Sequence, residues 1–203
     1  MLKIFTIGFV GAFLINFAGC GRRCVEAQYY FSMEDTFLPE KDSISIGDTL
    51  WVTSSHSTTF RDSISKTNID FSNSQLGTPF EVLKFPETSQ NVIGAVNDFD
   101  YIIKVGSLTG NDNLPTQNKG FSYKEINGQY TLSVGIVAKQ KGIYGISLGD
   151  DISVTRKNKG CEKAFIQIHN NNSNIHLYYY QDFRPGYQIS EYERSHMYCF
   201  KVY

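Results

Sequence analysis

Alternation of apolar and polar positions dominates the chain from about residue 29 onward, and it predicts strands. Ile44 and Ile46 alternate with serines, Gly47-Asp48 reads as a tight turn, and Leu50-Trp51-Val52 has the composition of a buried strand. Tyr29-Tyr30-Phe31 supplies an earlier apolar anchor, where a tether turns into an edge strand over 20–32. Further strands are expected at 68–71, at 80–85 between Pro79 and Pro86, and at 99–105, 121–126, 129–138 and 143–148. Asn127-Gly128, between two alternating runs, is the clearest hairpin turn. Residues 53–59, a run of Ser and Thr around His56, read as an exposed loop. Short strands punctuated by Gly, Asn or Pro predict a β-sandwich over 33–154 rather than a helical or α/β domain.

The pattern changes after Asp151. Cys161, Ala164, Phe165 and Ile168 stand at helical spacing, and Ile175, Tyr178 and Tyr179 continue it beyond the polar stretch 170–174. Ser190-Glu191-Tyr192-Glu193 fits a capping box. These signals predict a small helical or mixed appendage over 155–203 that closes with a short strand at 199–203. A hairpin pairing 165–169 with 175–179 is the competing reading, and periodicity alone does not separate the two.

At the other end, Lys3 precedes an apolar run over 4–15 that closes on Phe17-Ala18-Gly19-Cys20. That is the layout of a secretory signal, and the run is shorter than the ~20 residues a membrane span needs. Its end resembles the lipobox of bacterial lipoproteins, with Phe17 where Leu is usual. The resemblance implies removal of 1–19, acylation of Cys20 and a membrane-surface address. Several acyl chains anchor stably where one is marginal. Arg22 and Arg23 would then meet lipid head groups. Acidic residues, common at these positions in lipoproteins sent to the outer face of some Gram-negative cells, are missing, which points to the periplasmic face of the outer membrane.

The segment Ile44-Ser45-Ile46-Gly47-Asp48 leading into Leu50-Trp51-Val52, with Gly142-Ile143-Tyr144 later, resembles immunoglobulin-like domains of bacterial envelope proteins. It also resembles the opening of uncharacterised Gram-negative lipoproteins. The resemblance implies an immunoglobulin-like antiparallel β-sandwich and brings no catalytic residue. Aromatic residues make up 14% of the 203, which suits strands, and the net charge of −1 with interspersed signs leaves no basic stripe for nucleic acid.

Candidate chemistry is sparse. Gly145-Ile146-Ser147-Leu148-Gly149 matches a nucleophile elbow, but strand-like residues follow it and no βαβ alternation surrounds it. Cys161, His169, His176, His196 and Cys199 share a segment without the short paired spacings of structural zinc sites. The acidic stretches 97–100, 111–113 and 150–151 lack calcium-loop periodicity and read as turns. Tyr178, Tyr179 and Tyr180 could present an aromatic platform to a sugar or peptide. Asp62-Ser63-Ile64 resembles the Asp-Ser/Thr-aliphatic acceptor of envelope O-glycosylation, with Ser63 exposed. In an oxidising compartment Cys161 and Cys199, bracketing the appendage, are expected to form a disulfide. The expectation is a non-enzymatic envelope lipoprotein without metal or cofactor, with a binding or structural role and an envelope protein or glycan as partner; the alternatives are a carbohydrate-binding module using the C-terminal tyrosines and an unrecognised envelope hydrolase.

Overall fold

The computed structural model describes residues 27–89, 91–109 and 118–203. The lipobox, Cys20, Arg22, Arg23 and the stretch 111–113 lie outside the described residues. The chain is mainly β. It forms β1 (Ala27–Leu38), β2 (Ser43–Ile44), β3 (Thr49–Ser57), β4 (Thr59–Arg61), β5 (Asn68–Asp70), β6 (Gly77–Phe85), β7 (Ile93–Gly94) and β8 (Phe99–Val105). After these come β9 (Ser107–Thr109), β10 (Asn118–Ser122), β11 (Lys124–Ile126), β12 (Gln129–Ala138), β13 (Gly142–Leu148), β14 (Asp151–Thr155) and β15 (Glu162–Asn170). Two short helices, α1 (Tyr178–Phe183) and α2 (Glu191–His196), precede the last strand β16 (Met197–Val202).

The first sheet runs β11-β12-β3-β1-β15-β14 with β8 also on β12, and the second runs β2-β16-β13-β6-β10-β9 with β7 on β6. Most pairs are antiparallel, but β1 with β15 and β2 with β16 are parallel. The sheets are therefore mixed, where the sequence predicted antiparallel pairing throughout. Inward residues of both sheets share one core. Phe37 of β1 stacks on Tyr198 of β16 at 4.8 Å, and Phe99 of β8 meets Tyr144 of β13 edge-on at 4.9 Å.

The Asn127-Gly128 hairpin forms as predicted. Both residues take positive φ, 50° and 73°, which a two-residue turn joining twisted strands requires, and Ile126 faces Gln129 across it. Residues 53–57, predicted as loop, instead extend β3, because the β-branched and hydroxyl side chains alternate between the sheet's two faces and pair with β12. The predicted helix from Cys161 is corrected as well. Residues 162–170 are strand β15, with Ala164, Ile166 and Ile168 pointing inward, and it pairs with β1 and β14 rather than with 175–179. The segment after 155 thus contributes strands to both sheets, and only α1 and α2 are helical. The capping box at Ser190 does form, with Ser190 Oγ accepting from Glu193 N–H and the Glu193 carboxylate accepting from Ser190 N–H.

One side chain manages a change of partners along β1. The strand pairs with β15 up to Asp35 and with β3 from Thr36, so Phe37 would face an open edge on one side. Asn172 closes it: its Oδ1 accepts from Phe37 N–H at 2.7 Å and its Nδ2 donates to Phe37 O at 2.7 Å. The side-chain amide stands in for one residue of a neighbouring strand.

Candidate functional site

The outer face of the second sheet carries its own apolar cluster. Phe85, Met197 and Cys199 project from β6 and β16, and Tyr180 and Ile189 cover them from the α1–α2 segment. The cover is incomplete beside β6. Between α1 and the turn after β6 lies a cleft of about 630 Å³, walled by Phe85, Pro86, Ile143, Tyr179, Phe183 and Pro185. Phe85 and Phe183 stack at 5.1 Å and 20°, which fixes the floor. Glu87 and Asp182 stand at its rim with Thr88 and Ser89.

A second recess of about 430 Å³ shares Phe85, Pro86, Glu87 and Ile143 with the first and continues to Lys84, Lys141, Lys201 and Tyr203. Lys84 pairs with Asp98 at 2.9 Å, while Lys201 lies over the Tyr203 ring at 4.8 Å. The combined groove offers aromatic faces and carboxylates at one end and ammonium groups at the other. Such a surface can stack against flat or apolar ligand faces and hydrogen-bond their substituents.

The three tyrosines occupy three different environments because a helix turns successive side chains by about 100°. Tyr178 is exposed at its edge and donates to Asp42 Oδ2 at 3.1 Å; partial desolvation and its contacts with Tyr179 and Asp42 raise its pKa. Tyr179 lines the cleft. Tyr180 is buried, its hydroxyl accepts from Arg184 Nη1 at 3.1 Å, and burial pushes its pKa up to about 12. The Tyr178 and Tyr179 rings meet at 4.4 Å with 36° between their planes, whereas Tyr180 turns into the interior; of the three, Tyr179 lines the cleft, beside Phe85 and Phe183, which the sequence did not single out.

Ser147 sits inside β13, opposite Met197 on one side and Glu81 on the other, and its hydroxyl bonds Glu81. The strand continues straight through it, so the sharp strand-to-helix turn of an elbow is not formed. His196 is buried between Asp150 Oδ1 at 3.2 Å and Tyr192 O at 2.8 Å, with His169 5.2 Å away ring to ring. His176 lies apart from them, against Tyr198 at 5.4 Å. Among the described residues no group of three or more His, Cys, Asp or Glu is placed to hold a metal ion. Ser63 is exposed in the turn after β4, its N–H donating to Tyr30 O at 2.7 Å.

The predicted Cys161–Cys199 disulfide does not form. Cys199 is a free thiol, wholly buried under α1, and burial raises its pKa. Cys161 lies in the turn directly before β15 of the first sheet, whereas Cys199 lies in β16 of the second, so the two do not bracket one small unit.

Three solved structures share a loose likeness. The Reelin-N domain of F-spondin is 13% identical, with a TM-score of 0.33, and the match covers 70% of this chain and 83% of that one. Two fragments of the human F-spondin reeler domain are 12% and 13% identical with TM-scores of 0.32 and 0.33. Each of these matches covers 72% of this chain, with 93% and 97% of the reeler chains. Likeness at this level carries no argument about activity or ligand. No protein-family model and no curated protein matches the chain.

Proposed function

We propose that this is a lipid-anchored protein of a Gram-negative envelope, built on an immunoglobulin-like β-sandwich, whose role is to bind an envelope glycan without catalysing a reaction on it. The observation that carries this reading is the aromatic cleft. Tyr179 and Phe183, half-buried beside the buried Phe85, offer aromatic surface to the C–H faces of a sugar, and Glu87 and Asp182 line the same cleft, where its hydroxyls would donate. The lysine-lined recess beside it favours a sugar that bears an acidic group.

Calorimetric titration with acidic oligosaccharides from envelope polymers tests the site. The wild type should bind. Tyr179→Ala, with an unchanged melting curve, should weaken binding at least about tenfold, the scale of one lost aromatic contact. Equal binding by both proteins would remove the cleft from the proposal.

The anchor has a separate test. Radiolabelled palmitate should enter the wild type and not Cys20→Ala, and equal labelling of the two would overturn the lipoprotein reading.

A further inference from the structure

Of the strands that end each sheet, β8 is the longest. It pairs with β12 on one side, and among the described residues no strand pairs with its other side. An open row of main-chain N–H and C=O groups is a template for another strand. We propose that a second copy of this chain takes that place, with the two β8 strands running antiparallel about a two-fold axis at Ile102, so that the first sheets of the two copies join into one.

The order of residues along β8 selects this partner. Antiparallel pairing centred on Ile102 sets Asp100 of each copy opposite Lys104 of the other. Tyr101 then faces Ile103, and Ile102 faces its own equivalent. The contact is isologous, so every pair away from the axis occurs twice. Opposite charges and apolar side chains directly across an antiparallel pair stabilise it, and like charges there destabilise it. Sliding the copies along each other sets Asp100 against Asp100 in one direction and Lys104 against Lys104 in the other, so the charges favour a single register.

The side chains are available for this contact. Ile102 and Ile103, neighbours on one edge strand, are 45% and 37% exposed, and a paired strand would take both out of water. Asp100 meets Lys139 Nζ at 2.9 Å with its own side chain 68% exposed. An exposed pair of that kind contributes little, and the carboxylate has room for a second ammonium. Lys104 is exposed as well, its Nζ lying 3.7 Å from the centre of the Trp51 ring. Trp51 packs over Gly135, the residue opposite Ile102 on β12, so Lys104 reaches the face from which Ile102 projects. The ladder to β12 slips between Ile103 and Val105. Such a bulge blunts an edge, but this one lies at the charged end of the segment and leaves Asp100–Ile103 in regular register.

Neither the aromatic cleft nor the lysine-lined recess draws a residue from β8, so the pairing leaves both open and is independent of the glycan reading.

Sedimentation equilibrium of the full chain in detergent solution tests the pairing. The wild type should show a concentration-dependent monomer–dimer equilibrium. Asp100→Lys and Lys104→Asp each create two like-charge pairs and should weaken association by about tenfold or more. The double variant Asp100→Lys/Lys104→Asp restores the complementary order and should recover association, which a merely misfolded single variant would not. Position 102 gives a direct readout. Directly opposed residues stand about 4.5–5.5 Å apart between Cα atoms, within disulfide reach, so Ile102→Cys should form a reduction-sensitive dimer under mild oxidation. Ile46→Cys, equally exposed in the turn before β3, should not. A monomer at every concentration, association indifferent to both charge reversals, or cross-linking at 46 as strong as at 102 would overturn the pairing.

Discussion

Asp35→Asn is expected to stabilise the protein at pH 8 by about 3 kcal/mol more than it does at pH 4. Asp35 is wholly buried in β1, and Tyr123 donates to its Oδ2 at 2.8 Å. Its Oδ1 has no hydrogen-bond partner. Burial pushes its pKa from 3.8 up to about 6, against the opposing effects of the Tyr123 hydrogen bond and the electrostatic pull of His56. A carboxyl that holds its proton more tightly in the folded chain favours folding while protonated. That contribution is complete below about pH 4 and is lost as the pH rises through about 6. Asparagine keeps an acceptor for Tyr123, cannot ionise, and offers an N–H to the Ser54 hydroxyl, which is also buried without a partner. Urea unfolding of both proteins from pH 4 to pH 8 measures the difference. A gap that stays constant across that range would show that the carboxylate is solvated or paired.

Where both faces of a strand obey one rule, the sequence was readable. The β11–β12 hairpin, the strands at 80–85 and 143–148, and the capping box at Ser190 all follow from local spacing. Residues 162–170 misled because Phe165 sits on the outer face, half-buried against Tyr30 at 6.1 Å. An aromatic on the wrong face broke the alternation of Ala164, Ile166 and Ile168 and imitated a helical stripe. The strand's partner also lies more than a hundred residues away, and no local window contains β1. The disulfide expectation failed for the same reason, since it took 161–199 for one compact unit. At the cleft, the tyrosine run was visible, but its phase on α1 was not, and Phe85-Pro86-Glu87 reads as an ordinary strand end until α1 is folded against it. The buried Asp35-Ser54 pair had no sequence signal at all: each stands among polar neighbours in its own strand.

Tyr198→Ala should cost roughly 5 kcal/mol and Tyr198→Phe only about 1–2, because the side chain contributes a packed ring and a hydroxyl clasp that can be removed separately. The ring is fully buried in β16, stacks on Phe37 with 13° between the planes, and meets His176 edge-on. Its hydroxyl accepts from Lys41 N–H and donates to Lys41 O, both at 2.8 Å. That clasp fastens the connection between β1 and β2 to the last strand, 157 residues away in the chain. The Phe variant leaves the two Lys41 groups to water, which can partly replace the clasp because Lys41 is exposed. The Ala variant adds a ring-sized cavity between the two sheets, where relaxation is limited by the close packing around it. Domains of this size are stable by about 5–15 kcal/mol, so the Ala variant sits near the edge of folding. Denaturant midpoints, read with an unchanged slope, give both costs. Amide exchange at Lys41 should speed up about tenfold in the Phe variant, the equivalent of about 1.4 kcal/mol. If the Phe variant cost as much as the Ala variant, the ring would contribute nothing, and the shared core of the two sheets would have to be redrawn.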